Sequence, residues 1–352
     1  MHNYISSTTY MFMAVFAGVL LALLTGWLGI RIASNFGLVD MPGRDARKVH
    51  QFPTPLAGGF GLVLALGILL FATGLWSDPE IRKLLIPAAI IFIFGVLDDA
   101  RGLSAPIKLV GQLSAAVILI ASGVRIQILE SSTFFFGGNE QVFVILDWAL
   151  TLLWLVGVTN ALNLVDSMDG LSIGLSAWAF GFFMLATFDS QEFPLSFLSA
   201  MLLGVCIGLS YYNTSPARLF LGDAGALLLG YFLAAISIQY TPPAAGQTSS
   251  WFLPILLVGV PIFDTTLVTV SRLRRGLPFY IGRIDHTYHR LVSFGLEPAR
   301  AVMTMHVAAL LLECIAFVAI SLPAGTANLV FAGCILAGVV CIILLDSKKR
   351  WH

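Results

Sequence analysis

Of the chain's 352 residues, 58% are hydrophobic and only 11% charged, where soluble domains carry roughly a quarter. Nineteen Lys and Arg balance nineteen Asp and Glu, so no net basic field exists to attract nucleic acid. This excludes a water-soluble globular protein and predicts an all-α polytopic membrane protein, read as one integral-membrane domain over 1–352. Cys206, Cys314, Cys334 and Cys341 lie within apolar runs and read as small hydrophobes, not as disulfides or metal ligands.

A helical span needs about 17–25 apolar residues. Such runs lie near 10–31, 56–75, 83–97, 105–121, 142–159, 171–188, 193–212, 224–240, 251–271, 299–320 and 325–345, which predicts about eleven transmembrane helices. The first has no basic flank before it and reads as a retained span rather than a cleaved signal. With eleven spans, one face receives Arg31, Arg44, Arg47, Lys48, Arg101, Lys108, Arg218, Arg272, Arg274, Arg275, Arg283, Arg290, Arg300, Lys348, Lys349 and Arg350. The other receives only Arg82, Lys83 and Arg125. The positive-inside rule then puts the N-terminus outside and the C-terminus in the cytoplasm.

The polar motifs arrive on that basic face. In "RKVHQFPTPLAGG" (47–59), Lys48 and His50 stand at the mouth of the second span, a place for a lipid phosphate or headgroup. "LDDARGLSAPIK" (97–108) ends the third span in Asp98 and Asp99 and opens the fourth with Lys108. Adjacent carboxylates repel, so one should bind a proton unless a cation intervenes, and an ammonium at the membrane edge needs an anionic partner. "TNALNLVDSMDGL" (159–171) carries Asn160, Asn163, Asp166 and Asp169 at three-residue spacing, which shares one helical side. Interhelical glue accounts for two amides but not for two carboxylates as well.

"YYNTSPARLFLGDAGALLLG" (211–230) sets Asp223 between Gly222 and Gly225, as a helix N-cap or as a metal-binding carboxylate that a phosphate can approach. Asn213 and Phe220 precede it, Phe220 offering a flat face to a base. "GRIDHTYHRL" (282–291) gathers Arg283, His286, His289 and Arg290, groups suited to a polyanion. Asp264, about two turns inside the ninth span, needs a partner that the sequence does not name. His306 reads as interhelical. Hard oxygen ligands suit Mg²⁺ or Mn²⁺, and such sites serve phosphoryl transfer. Eleven spans imply that one substrate is a lipid.

These four motifs, "LDDARGLSAPIK", "NALNLVDSMDGL", "YYNTSPARLFLGDAGALLLG" and "DHTYHRL", in this order over about 44–297, resemble the polyprenyl-phosphate N-acetylhexosamine-1-phosphate transferase family. That resemblance implies transfer of sugar 1-phosphate from a UDP-N-acetylhexosamine to polyprenyl phosphate, with release of UMP. It implies Asp98, Asp99 and Lys108 as catalytic residues, with Asp98 the base. It also implies Asp223 and Asn163 as metal ligands for Mg²⁺ or Mn²⁺. Asp166, Asp169, Asn213 and Phe220 fall on the nucleotide side, and Arg283, His286, His289 and Arg290 on the sugar and phosphate side. Lys48 and His50 would meet the lipid phosphate.

The chain departs from the family's HxHH pattern, placing Tyr288 where the second histidine stands. It also lacks the triple-histidine run of the branch acting on UDP-MurNAc-pentapeptide, so UDP-GlcNAc is the expected donor, with UDP-GalNAc or UDP-MurNAc-pentapeptide as the alternatives. The partners implied are the UDP-sugar, polyprenyl phosphate and membrane lipid, with a homodimer left open. A rival class, an ion-coupled transporter, has Asp264 as its best support.

Overall fold

A computed structural model describes residues 2–41, 53–129, 140–241, 251–278 and 285–347. These are mostly helical. Among them, seven helices are long and apolar enough to cross a membrane, and two further apolar helices, Gly58–Thr73 and Ala105–Ala121, are shorter. In chain order the helices are α1 (His2–Ile32), α2 (Gly58–Thr73), α3 (Pro79–Arg101), α4 (Ala105–Ala121), α5 (Glu140–Val165), α6 (Leu171–Asp189) and α7 (Phe193–Asn213). They continue with α8 (Gly222–Gln239), α9 (Leu253–Leu257), α10 (Gly259–Arg274), α11 (Thr287–Ser293), α12 (Pro298–Ala319) and α13 (Ala324–Asp346).

Each of the eleven apolar runs falls on a helix, but the ninth is broken into α9 and α10. Pro261 is the cause: it has no N–H to give the carbonyl of Leu257, so the helix restarts at Gly259.

The bundle is built around α8. Its sequence is apolar on all sides, and every residue from Ala224 to Ser237 is buried. In a membrane, helices gain little from burying Leu against Leu, and small residues that let backbones touch carry the packing. α8 is packed that way against α2 and α3. A Cβ on Gly95 of α3 would lie 2.4 Å from the Cα of Ala224, and one on Gly59 of α2 would lie 2.6 Å from the nitrogen of Gly225. Both contacts grip the first turn of α8.

The segment leading into α8 is held as well. A two-stranded antiparallel pair, β1 (Val39–Asp40) and β2 (Thr54–Pro55), lies just before α2. The Phe220 N–H donates to the Pro55 carbonyl (2.9 Å), and the Gly58 and Gly59 N–H groups donate to the carbonyls of Phe220 (2.9 Å) and Leu221 (3.0 Å). α3 has a well-made start, where the Asp78 carboxylate accepts from the N–H of Glu80 (2.9 Å) and Ile81 (3.2 Å) ahead of Pro79. Its far end turns at Gly102, three residues after Asp99.

Candidate active site

Four helix ends meet at one end of the bundle: the C-termini of α3 and α5, the first turn of α4, and the N-terminus of α8. Asp98 on the last turn of α3 is buried; one oxygen accepts from the Leu103 N–H (2.7 Å) and the other pairs with the Lys108 ammonium. The same ammonium reaches Oδ2 of Asp223 at 3.2 Å. Asn163, from the end of α5, donates its amide to Oδ1 of Asp223 at 2.5 Å. The Asp98 carboxyl is only 3% exposed, while the Lys108 and Asp223 side chains are 29% and 31% exposed. A ligand can therefore reach the lysine and Asp223 from solvent, with Asp98 behind them.

Asp99 does something else. Its two oxygens accept from the N–H groups of Asp223 (2.7 Å) and Ala224 (3.1 Å), so it caps the N-terminus of α8 from the neighbouring helix. The cap expected of Asp223 is thus supplied by Asp99, and the Asp223 side chain is released toward Lys108 and Asn163. Burial pushes the Asp99 carboxyl up to about 7, with the charge of Asp223 adding to it and the two N–H donors opposing. Burial, with the Asp223 carboxylate alongside, raises Asp98 to about 6 against the pull of Lys108.

Asn160 is not at this site. It exchanges amide hydrogen bonds with Gln112 of α4 (2.6 and 3.1 Å), a link between α4 and α5 that fits the glue role and whose partner the sequence did not advertise.

The turn between α5 and α6 carries the other two carboxylates. Asp166 accepts from the Ser172 hydroxyl (2.5 Å); burial raises it to about 7 against that hydroxyl, helped by Asp223 and Asp169. Asp169 accepts from the Ala217 N–H (2.9 Å). Asn213 accepts from the Gly170 N–H (3.1 Å) and donates to the Leu219 carbonyl (2.9 Å). Asp169 and Asn213 therefore bind the α5–α6 turn to the α7–α8 connection, and Phe220 sits at the end of that connection.

Asp264 has its partner. It accepts from the Thr287 N–H (2.6 Å) and lies 2.8 Å from Nδ1 of His286, so it caps α11 and orients the imidazole. The residue that best supported an ion-coupled transporter is a positioning group for the histidine loop. His289 packs on the Tyr288 ring (centroids 4.0 Å apart), and its Nδ1 is without a partner among the described residues. Burial, then the nearby His286, pulls its pKa down to about 4, which leaves a neutral imidazole at physiological pH.

Arg290 is not brought to the site. It is fully buried and donates to the Asp285 carbonyl (2.9 Å), to Asp346 at the end of α13 (3.0 Å) and to Ser271 (2.8 Å). Arg272 holds Asp285 through two bonds of 2.6 and 3.0 Å. This network fastens the histidine loop to α10 and α13. Arg290→Ala is therefore expected to cost about 3 kcal/mol of stability, read as a lower unfolding temperature in detergent. An unchanged temperature with a raised KM for the sugar donor would instead put Arg290 on the donor. Lys48, His50 and Arg283 lie outside the described residues.

Among the described residues no cluster of three His, Cys, Asp or Glu side chains is poised for a metal. That excludes a closed zinc cage among them. The partly exposed Asp223 carboxylate is a hard oxygen donor, the ligand type that suits a hard cation completing its shell with water and phosphate oxygens.

The sequence profile described as "Glycosyl transferase family 4" matches residues 81–241, the stretch from α3 through α8. The chain is 32% identical over 276 residues to the "Probable undecaprenyl-phosphate N-acetylglucosaminyl 1-phosphate transferase" of Bacillus subtilis (strain 168), covering 78% of this chain and 75% of that protein. It is 31% identical over 348 residues to the "Decaprenyl-phosphate N-acetylglucosaminephosphotransferase" of Mycobacterium tuberculosis (strain ATCC 25618 / H37Rv), 89% and 84% of the two chains. With the "Undecaprenyl-phosphate alpha-N-acetylglucosaminyl 1-phosphate transferase" of Escherichia coli (strain K12) it shares 28% identity over 302 residues, 82% and 78%. Identity over this much of both chains agrees with the four motifs now seen to meet at one end of one bundle, and the chain belongs to the polyprenyl-phosphate N-acetylhexosamine-1-phosphate transferase family.

Proposed function

We propose that this protein transfers GlcNAc 1-phosphate from UDP-GlcNAc to polyprenyl phosphate, giving polyprenyl-diphosphate-GlcNAc and UMP, at the cytoplasmic face of the cell membrane. The product would start a cell-envelope glycan. The observation that carries this reading is the Lys108 ammonium set between Asp98 and Asp223, with Asn163 on the latter. It is an open, partly exposed cation and carboxylate at the rim of an apolar bundle, where a lipid phosphate and a soluble nucleotide can both arrive. The names of the relatives support GlcNAc as the sugar and a polyprenyl phosphate as the acceptor.

In this mechanism Lys108 holds the phosphate charge of the lipid. Asp98, with a pKa near 6, matches the second ionisation of a phosphate monoester and takes or orients its proton. A lipid phosphate oxygen bonds to the sugar-bearing phosphorus of UDP-GlcNAc, the bond from that phosphorus to the UMP oxygen breaks, and UMP leaves. Mg²⁺ or Mn²⁺ held by Asp223 with Asn163 would supply charge that neutralises the diphosphate oxygens. Asp169 and Asn213 fix the nucleotide turn, and His289 is offered to the donor as a neutral hydrogen-bonding ring.

Orientation follows the same reading: eleven spans, N-terminus outside, the sixteen-to-three split of cations, and the site on the cytoplasmic side. The side-chain bonds joining residues 98–108, 163–170, 213–223 and 285–290 support one common face for these loops.

The test is UMP release by purified protein given polyprenyl phosphate, Mg²⁺ and UDP-GlcNAc, with and without chelator. Lipid-dependent, chelator-sensitive UMP is expected. UMP only from UDP-GalNAc or UDP-MurNAc-pentapeptide would change the donor, and none from any of the three would sink the reading.

A further inference from the structure

Tyr288 stands where the family's loop carries a histidine, yet it does not face the site. It is 1% exposed and packs with Val165, Leu171, Leu175 and Met305. A buried phenol needs a partner for its hydroxyl. Here the O–H donates to Oγ of Ser167 at 2.7 Å, and the Ser167 hydroxyl lies 3.3 Å from the Leu164 carbonyl at the end of α5. The bond spans 121 residues of sequence. Ser167 lies on the turn between Asp166 and Asp169, and Tyr288 lies between the loop's two histidines. Its ring is nearly parallel to His286 (9°, centroids 6.2 Å apart) and in contact with His289 at 4.0 Å.

Two of the loop's other side chains are secured from elsewhere, His286 by Asp264 and Arg290 by Asp346 and Ser271. Among the described residues, the Tyr288–Ser167 bond is the side-chain hydrogen bond that ties the histidine loop to the carboxylate turn of α5–α6. A histidine side chain is shorter than tyrosine and would not carry a donor to the same point.

We infer that the Tyr288–Ser167 hydrogen bond is a latch that sets the separation between the turn holding the nucleotide and His289 holding the sugar, making both residues positioning groups for the UDP-sugar donor. This rests on the donor reading given under Proposed function. A ligand that occupies both halves, the UDP-sugar, depends on the latch. A ligand that occupies the turn alone, UMP, does not. The phenyl ring carries the packing and the hydroxyl carries the latch, so Tyr288→Phe separates the two roles.

The experiment compares Tyr288→Phe, Ser167→Ala and the double variant in two assays, UMP-release kinetics and calorimetric titration with UDP-GlcNAc and with UMP. One neutral hydrogen bond is worth about 3- to 10-fold in binding. Each single variant should raise the KM and Kd for UDP-GlcNAc by about that factor, with kcat, UMP affinity and unfolding temperature nearly unchanged. The double variant should be no worse than either single one, because both remove the same bond.

Additive effects, equal weakening of UDP-GlcNAc and UMP, or a fall in unfolding temperature and kcat with donor KM unchanged would overturn the latch. Wild-type protein that releases no UMP but binds UDP-GlcNAc would fail the reaction reading while the titrations still decide the latch. Wild-type protein that binds neither nucleotide would overturn both.

Discussion

Asp223→Asn should lower UMP release by about 10³-fold or more, with folding and unfolding temperature preserved. The size follows from what the side chain is asked to supply. An oriented charge at a phosphoryl-transfer centre contributes several kcal/mol to the transition state, and about 1.4 kcal/mol is one power of ten. The preserved fold follows from Asp99. Because Asp99 caps α8, the helix start does not depend on the Asp223 side chain.

The neighbouring variant Asp99→Ala should behave differently. It removes the cap, costs about 1 kcal/mol of stability, and disturbs turnover only by loosening the first turn of α8. Measuring kcat against Mg²⁺ concentration alongside unfolding temperature separates the two carboxylates. Wild-type Mg²⁺ dependence in Asp223→Asn would remove Asp223 from the metal's ligands and with it the assignment of the site.

The parts of this protein that could be read from sequence are those dictated by short-range chemistry. Long apolar runs had to become helices in a membrane, since nothing else satisfies their backbone, but the ninth run reads as one span and its break between Leu257 and Gly259, ahead of Pro261, is seen only in the fold. Asp98, Lys108, Asn163 and Asp223 were each conspicuous because charge and amide are costly at the end of such a run. They do meet.

What could not be read is how distant groups divide the work. Nothing near Asp99 in sequence shows that it caps a helix 124 residues away. Nothing near Asp264 names His286, although the two are only 22 residues apart, because a turn has to bring them together. Arg290 looked like a phosphate ligand for its charge alone. Only the fold shows its guanidinium enclosed by Asp285, Ser271 and Asp346. Tyr288 is the same lesson with the sign reversed: a residue that broke the expected pattern turns inward to hold the site from behind.

Gly95→Ala should be among the most damaging single-methyl changes in the chain, although helix propensity argues the opposite. In the interior of a helix, alanine is favoured over glycine by about 0.5–1 kcal/mol. At Gly95 the added Cβ would lie 2.4 Å from the Cα of Ala224 and 2.8 Å from its nitrogen, the nitrogen that Asp99 caps. Backbone cannot yield as a flexible side chain can, so α3 and α8 must part, at an overpacking cost of about 1–3 kcal/mol.

That movement separates Asp98 and Asp99 from Asp223, and displacement of catalytic groups by about 1 Å can cost a factor of 10² in rate. The expected result is a lower unfolding temperature together with a fall in kcat of about ten- to a hundredfold. Gly67→Ala is the control. Gly67 also sits inside an apolar helix, α2, but an added Cβ there meets nothing within 4 Å. That variant should be neutral or slightly more stable, with turnover unchanged. If both variants behaved alike, contact between α3 and α8 would not be what holds Asp98 and Lys108 against Asp223, and the placement of the site would have to come from the loops instead.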